Sequence, residues 1–145
     1  MRSLKISNIV YRKSLIAMEI AVTDGIKIAV STKFEEGLSS PCKCLYYFSY
    51  QIRIENNSGH AVQLLKRKWM IFDSIGEHLL VEGEGVVGKK PVIENAGHYQ
   101  YESACKLNSG VGKMWGIYYM KRLSDGADIC VKIPEFQLIV PFRLN

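Results

Sequence analysis

The sequence has little that would support metal, disulfide or membrane chemistry. Its four cysteines, Cys42, Cys44, Cys105 and Cys130, form no C-x-x-C pair. A structural zinc site usually draws its ligands from two close pairs, and only Cys42 and Cys44 are close, in a C-x-C placed here on a strand edge. Reduced thiols in a cytoplasmic-type compartment are the expectation, with a zinc site as the alternative. The three histidines, His60, His78 and His98, occur at neither H-x-H nor H-x-x-x-H spacing, so no metal site is expected from them. No apolar run approaches the ~20 residues of a membrane-spanning helix. There is no G-x-S-x-G nucleophile elbow, and no base or metal set can be assembled for hydrolysis. The expectation is therefore a protein without catalytic residues or cofactor.

Charge of one sign is also scarce in the body of the chain. The formal net charge is +5, from 19 basic and 14 acidic residues. Residues 1–17 hold Arg2, Lys5, Arg12 and Lys13 and no acid. The remaining 15 basic residues nearly balance all 14 acids. A nucleic-acid-binding domain would carry its excess on the folded surface, so no nucleic-acid partner is expected. Residues 1–17 are treated as a basic N-terminal extension, and 18–145 as one domain. Lys66-Arg67-Lys68 is the one compact basic run in the body. On a strand it would send Lys66 and Lys68 to one face and Arg67 to the other.

Helical periodicity is missing, and period two dominates. Tyr46, Phe48, Tyr50, Ile52 and Ile54 alternate with Tyr47, Ser49, Gln51, Arg53 and Glu55, the pattern of a half-buried strand. Ile26, Ile28 and Val30 mark an earlier strand. From Val62 to Phe72 the apolar parity changes, which predicts a bulge or a strand that contributes to two surfaces. Asp73 to Glu77, Asn95 to Gly97, Asn108 to Gly110 and Ser124 to Gly126 are turn signals. Pro134 is expected to interrupt the last extended run before Phe136, Leu138 and Val140. The aromatic segment Trp115 to Tyr119 is expected to be core rather than contact surface. Seven or eight short strands with frequent turns predict an all-β, two-sheet antiparallel sandwich.

One motif carries a functional question. Gly83-Glu84-Gly85-Val86-Val87-Gly88, followed by Lys89-Lys90-Pro91, has the letters of a dinucleotide loop. That loop needs a strand before it and a helix after it. Leu79 to Val81 supplies the strand, but Pro91 forbids the helix. Two readings remain. The glycines either serve a bulged, positive-φ connection, or their amides form a nest for an anion, with Lys89 and Lys90 adding charge. Glu82 and Glu84 would share a face if extended, and a divalent cation held by them is a further alternative.

Gln63-Leu64-Leu65, Trp69, Val81 to Gly88, Pro91-Val92, Tyr99 to Ser103, Gly112 to Gly116, Ile133 to Phe136 and Val140-Pro141 resemble the ApaG family, over about Val22 to Asn145. The resemblance implies an immunoglobulin- or fibronectin-III-like sandwich. It further implies a link to cobalt resistance and magnesium efflux, and a protein-interaction role drawn from related domains. For Gly83, Gly85 and Gly88 it implies a pyrophosphate-type ligand. Without a membrane span, any part in efflux would be indirect, through a protein partner or a sensed ligand.

Overall fold

The computed structural model describes residues 18–141. Expectations for residues 1–17 therefore lie outside the described residues. Among the described residues, nine strands form two antiparallel sheets. β1 (Glu19–Thr23), β2 (Ile26–Phe34), β3 (Tyr46–Asn56) and β7 (His98–Leu107) lie side by side in that order. The second sheet has the order β5 (Glu77–Glu84), β4 (Val62–Asp73), β8 (Val111–Arg122), β9 (Asp128–Ile139), and β6 (Val92–Ile93) also pairs with β4. The expected β-sandwich is what the chain forms.

Alternation decides which side chains enter the space between the sheets. Tyr46, Phe48, Tyr50, Ile52 and Ile54 of β3 all point inward and are buried. Ile26, Ile28 and Val30 of β2 meet them, with Ile28 paired to Ile54 and Val30 to Ile52. From the other sheet come Trp69, Met114, Tyr118, Met120, Val131, Ile133 and Phe136. Trp69 is the centrepiece. Its ring lies 5.5 Å from Tyr50, 6.4 Å from Tyr118 and 5.8 Å from Phe136, each edge-on, the arrangement aromatic quadrupoles favour. The predicted parity change in β4 is real: its register against β8 shifts between Leu64 and Lys66.

Asn56 ends β3 as a buried polar corner. Its amide donates to the carbonyls of His60 (2.7 Å) and Ile93 (2.9 Å), and its side-chain oxygen accepts from Ser58 N–H (3.0 Å). A buried amide is tolerated because it is hydrogen-bonded. The corner ties the β3–β4 turn to β6.

Three expectations need correcting. Cys42 and Cys44 do not lie on a strand edge. Pro41–Lys43 is a 3-10 turn, and Cys44 follows it in the left-handed region at φ 55°; Pro41, with its preset φ, starts the turn. Pro134 does not divide the last run. β9 is continuous, and only its register to β8 shifts, between Met114 and Gly116. Pro134 falls within that shift, on a strand at the end of its sheet's order, and bulges and edge strands are the places where a sheet tolerates a missing N–H. Finally, Trp115 to Tyr119 is not all core. Tyr118 is fully buried, while Trp115, Ile117 and Tyr119 alternate to the outer face and are half-buried.

Candidate functional site

β5 enters the glycine loop and β6 leaves it, both along the same side of β4. The loop is thus an excursion from one edge, placed where β4 has its bulge. Leu65, the bulged residue, accepts from Gly85 N–H at 2.7 Å, and Leu64 N–H donates to Pro91 O at 3.0 Å. Val86 drops into the core and is fully buried. Val86 and Lys89 exchange both backbone bonds (2.8 and 2.9 Å) around a two-residue turn, Val87-Gly88, with φ of 42° and 79°. Two positive φ values define a type I′ turn.

Two of the glycines are fixed by close approaches. Gly83 lies under the guanidinium of Arg67, and a Cβ there would sit 2.8 Å from its atoms. That guanidinium donates to the carbonyls of Glu84 (3.0 Å) and Gly85 (2.9 Å). Gly85 has φ 62°, and a Cβ would collide with the Lys89 carbonyl oxygen. Glu84 is held by Lys90 of the loop's exit at 2.8 Å and by Lys66 of β4 at 3.9 Å. The hydrogen bond from Lys90, with the two ammonium charges, draws the Glu84 carboxyl below its usual range. Gln63 closes the far end by donating to Lys90 O at 3.1 Å.

The five predicted site residues are brought together: Gly83, Gly85, Gly88, Lys89 and Lys90 belong to this one loop. Their backbone amides are less uniform. Those of Gly85 and Lys89, with that of Val86 between them, have protein acceptors. Those of Val87 and Gly88, at the tip, have none among the described residues. Lys89 is exposed, with no carboxylate in ion-pair range among the described residues. Glu82 and Glu84 do share a face, opposite Lys68 and Lys66. No group of three or more His, Cys, Asp or Glu able to hold a metal stands together among the described residues.

Val87 is the strained member. A β-branched residue at positive φ is an outlier, and it is 52% exposed. Asn-Gly is the favoured pair for this turn. Val87→Asn should therefore stabilise the domain by about 1 kcal/mol, read as a higher urea midpoint with an unchanged slope.

Sequence reasoning missed two features. One is Arg67, whose inward parity was legible but whose reach to the loop was not. The other is an apolar row on the outer face of the five-stranded sheet. Leu80 stands opposite Met70, and Met70 opposite Trp115. Phe72 flanks the row and packs on His78 at 4.9 Å. Lys113 lies over the Trp115 ring at 5.5 Å. Period-two parity across β4, β5 and β8 could have found it, once their pairing was known.

The fold and its loop define an immunoglobulin/fibronectin-III-like sandwich with one glycine-built excursion on an edge and an apolar outer face. Residues 36–122 match the model of the ApaG domain family. The chain belongs to that family. It is 43% identical over 120 residues to Protein ApaG of Vibrio vulnificus (strain YJ016), covering 83% of this chain and 94% of that protein. It is 44% identical over 124 residues to Protein ApaG of Brucella abortus (strain S19), covering 86% and 95%. Among solved structures, the putative ApaA protein from Bordetella pertussis is similar, with a TM-score of 0.76, 29% identity, and 88% and 98% of the two chains covered. An X-ray structure of a structural-genomics target gives a TM-score of 0.78 at 35% identity, over 86% and 94%.

Proposed function

We propose that this domain is a non-catalytic protein-interaction module whose partner docks on the outer face of the five-stranded sheet. The row Leu80–Met70–Trp115 carries the proposal. The solvent face of an antiparallel sandwich is ordinarily polar. Here an apolar centre, extended by Phe72 and Ile117, is rimmed by Lys66, Lys68, Lys113, Glu82 and Glu135. That is the anatomy of a docking surface, with a dry middle and a charged border. The link to divalent-cation homeostasis comes from the family resemblance, and we attach it to the partner rather than to a site on this chain. Cross-linking capture from the native host should recover a partner with the wild-type chain. Recovery should drop at least about tenfold with Trp115→Ser, as expected when a central aromatic anchor is lost. A partner retained equally by Trp115→Ser and Met70→Ser would place docking on another surface.

A second reading has its own observation. The Val87 and Gly88 amides and the Lys89 ammonium face solvent together at the loop tip, and backbone amides beside a cation suit a pyrophosphate or nucleotide phosphate. Calorimetry with pyrophosphate, with and without magnesium, tests it. No heat at millimolar ligand removes this reading and leaves the docking face untouched.

A further inference from the structure

Among the described residues, β5 pairs only with β4, and its other side is an open edge. Such an edge is a template for a further strand, and proteins ordinarily blunt it with charge or covering. β5 carries exposed Glu77, His78, Glu82 and Glu84 towards its ends, but two exposed leucines, Leu79 and Leu80, at its middle. The other sheet edges differ. β7 turns His98, Gln100, Glu102 and Lys106 to solvent. β1 is held against β9, where Lys132 N–H donates to the Thr23 hydroxyl at 3.2 Å.

The hydrogen bonding of β5 fixes which groups are free. Gly85 N–H points to β4, since it donates to Leu65 O. Antiparallel alternation then turns the amides of Gly83, Val81 and Leu79 towards β4. Those of Glu82, Leu80 and His78 face the open edge. An incoming antiparallel strand must pair with these three.

We propose that the occupant is β5 of a second copy of this chain, paired antiparallel about a two-fold axis at Leu80. In that register Leu80 meets Leu80 of the second copy, and Leu79 meets its Val81. His78 meets Glu82 of the second copy, twice by symmetry, and Glu77 meets Gly83. No carboxylate faces another. Shifting the axis to Val81 sets Leu80 against Glu82, and shifting it to Leu79 sets His78 against Leu80. Both shifts lose the match of apolar to apolar and of histidine to acid that the Leu80 register provides. The product is one continuous sheet across both copies, joined by main-chain bonds, with side-chain matching that sets the register. The seam shares Leu80 and Glu82 with the border of the partner-docking face, so the two are told apart at Trp115, which lies two strands from the seam and whose variants leave it intact.

Sedimentation equilibrium of the full chain from micromolar to millimolar concentration should show a monomer–dimer equilibrium. Leu80→Lys should weaken it more than about tenfold, through loss of the central apolar pair. Leu80→Pro removes an outward amide without removing a bond to β4, and should abolish the dimer while the thermal transition persists. His78→Glu should weaken association and His78→Lys should tighten it, each by several-fold. Hydrogen exchange supplies a readout independent of folding. Raising the protein concentration should slow exchange at His78, Leu80 and Glu82 but leave Leu79, Val81 and Gly83 unchanged. A chain that stays monomeric at millimolar concentration overturns the proposal. So does a dimer that survives both Leu80→Lys and Leu80→Pro.

Discussion

Gly85→Ala should destabilise the domain by about 3–5 kcal/mol, combining a left-handed backbone imposed on a Cβ with a steric clash in a packed loop. The new methyl would strike the Lys89 carbonyl oxygen. Relief would require opening the Val86–Lys89 exchange, and Val86 is the loop's plug into the core. Gly88→Ala is the control. Gly88 also has positive φ, at 79°, but nothing lies within 4 Å of its added Cβ. It should lose only about 1 kcal/mol. Urea titrations of the two variants would separate strain from collision. Equal losses would mean that the Gly85 carbonyl contact relaxes freely.

Raising the pH should weaken the fold steeply above about pH 9–10, because groups that ionise in the unfolded chain stay neutral inside the sandwich. Burial, with the Asp73 charge adding to it, pushes the Cys105 thiol from its ordinary 9.0 to about 11. Burial also drives the Tyr101 and Tyr118 hydroxyls, which are bonded to one another, well above 10. A raised folded-state value contributes stability that is whole below the unfolded value. That contribution is lost as pH climbs towards the folded one. Each pH unit in that window costs about 1.4 kcal/mol per group. Denaturant titrations at pH 8, 9.5 and 10.5 should show a midpoint falling at each step. Tyr101→Phe with Tyr118→Phe removes both hydroxyls together, a nearly neutral change at pH 7. The double variant should flatten the fall, leaving the share due to Cys105 and to Tyr50, whose hydroxyl burial also raises. A pH response unchanged in that variant would mean the buried pair does not report on folding.

The strands are legible in the sequence because one face of each is dry. Tyr46 to Ile54 and Ile26 to Val30 alternate as the chain is written, and the structure keeps that parity. The bulge in β4 is legible for the same reason, since a two-residue period cannot slip without leaving a mark. Trp115 to Tyr119 defeats composition alone. Its residues are all of kinds that are often buried, yet parity sends only Gly116 and Tyr118 inward. Pro134 misleads because its effect depends on whether its strand is an edge, which is a property of the sheet. The glycine block is legible as a turn without a following helix. The reasons for its members are not local: Gly83 answers to Arg67 on the neighbouring strand, and Gly85 to a carbonyl across its own loop. The outer apolar row is invisible until β4, β5 and β8 are set side by side, since each strand supplies only one or two of its members.

The pairing of β3 with β7, which sets Ile52 against Tyr101, bears on how the chain folds. Everything from Asn57 to Gly97 lies between those partners, and most of it belongs to the other sheet. The hairpins β1–β2, β4–β5 and β8–β9 close over short turns and can form on microsecond timescales. The β3–β7 and β4–β8 ladders must close long loops first, which places the whole reaction in the slow, non-local class of β-sandwiches. Until β7 arrives, β3 is itself an edge carrying Tyr46, Phe48, Tyr50, Ile52 and Ile54 on one side. The interval before that ladder closes is when a nascent chain is most exposed to aggregation.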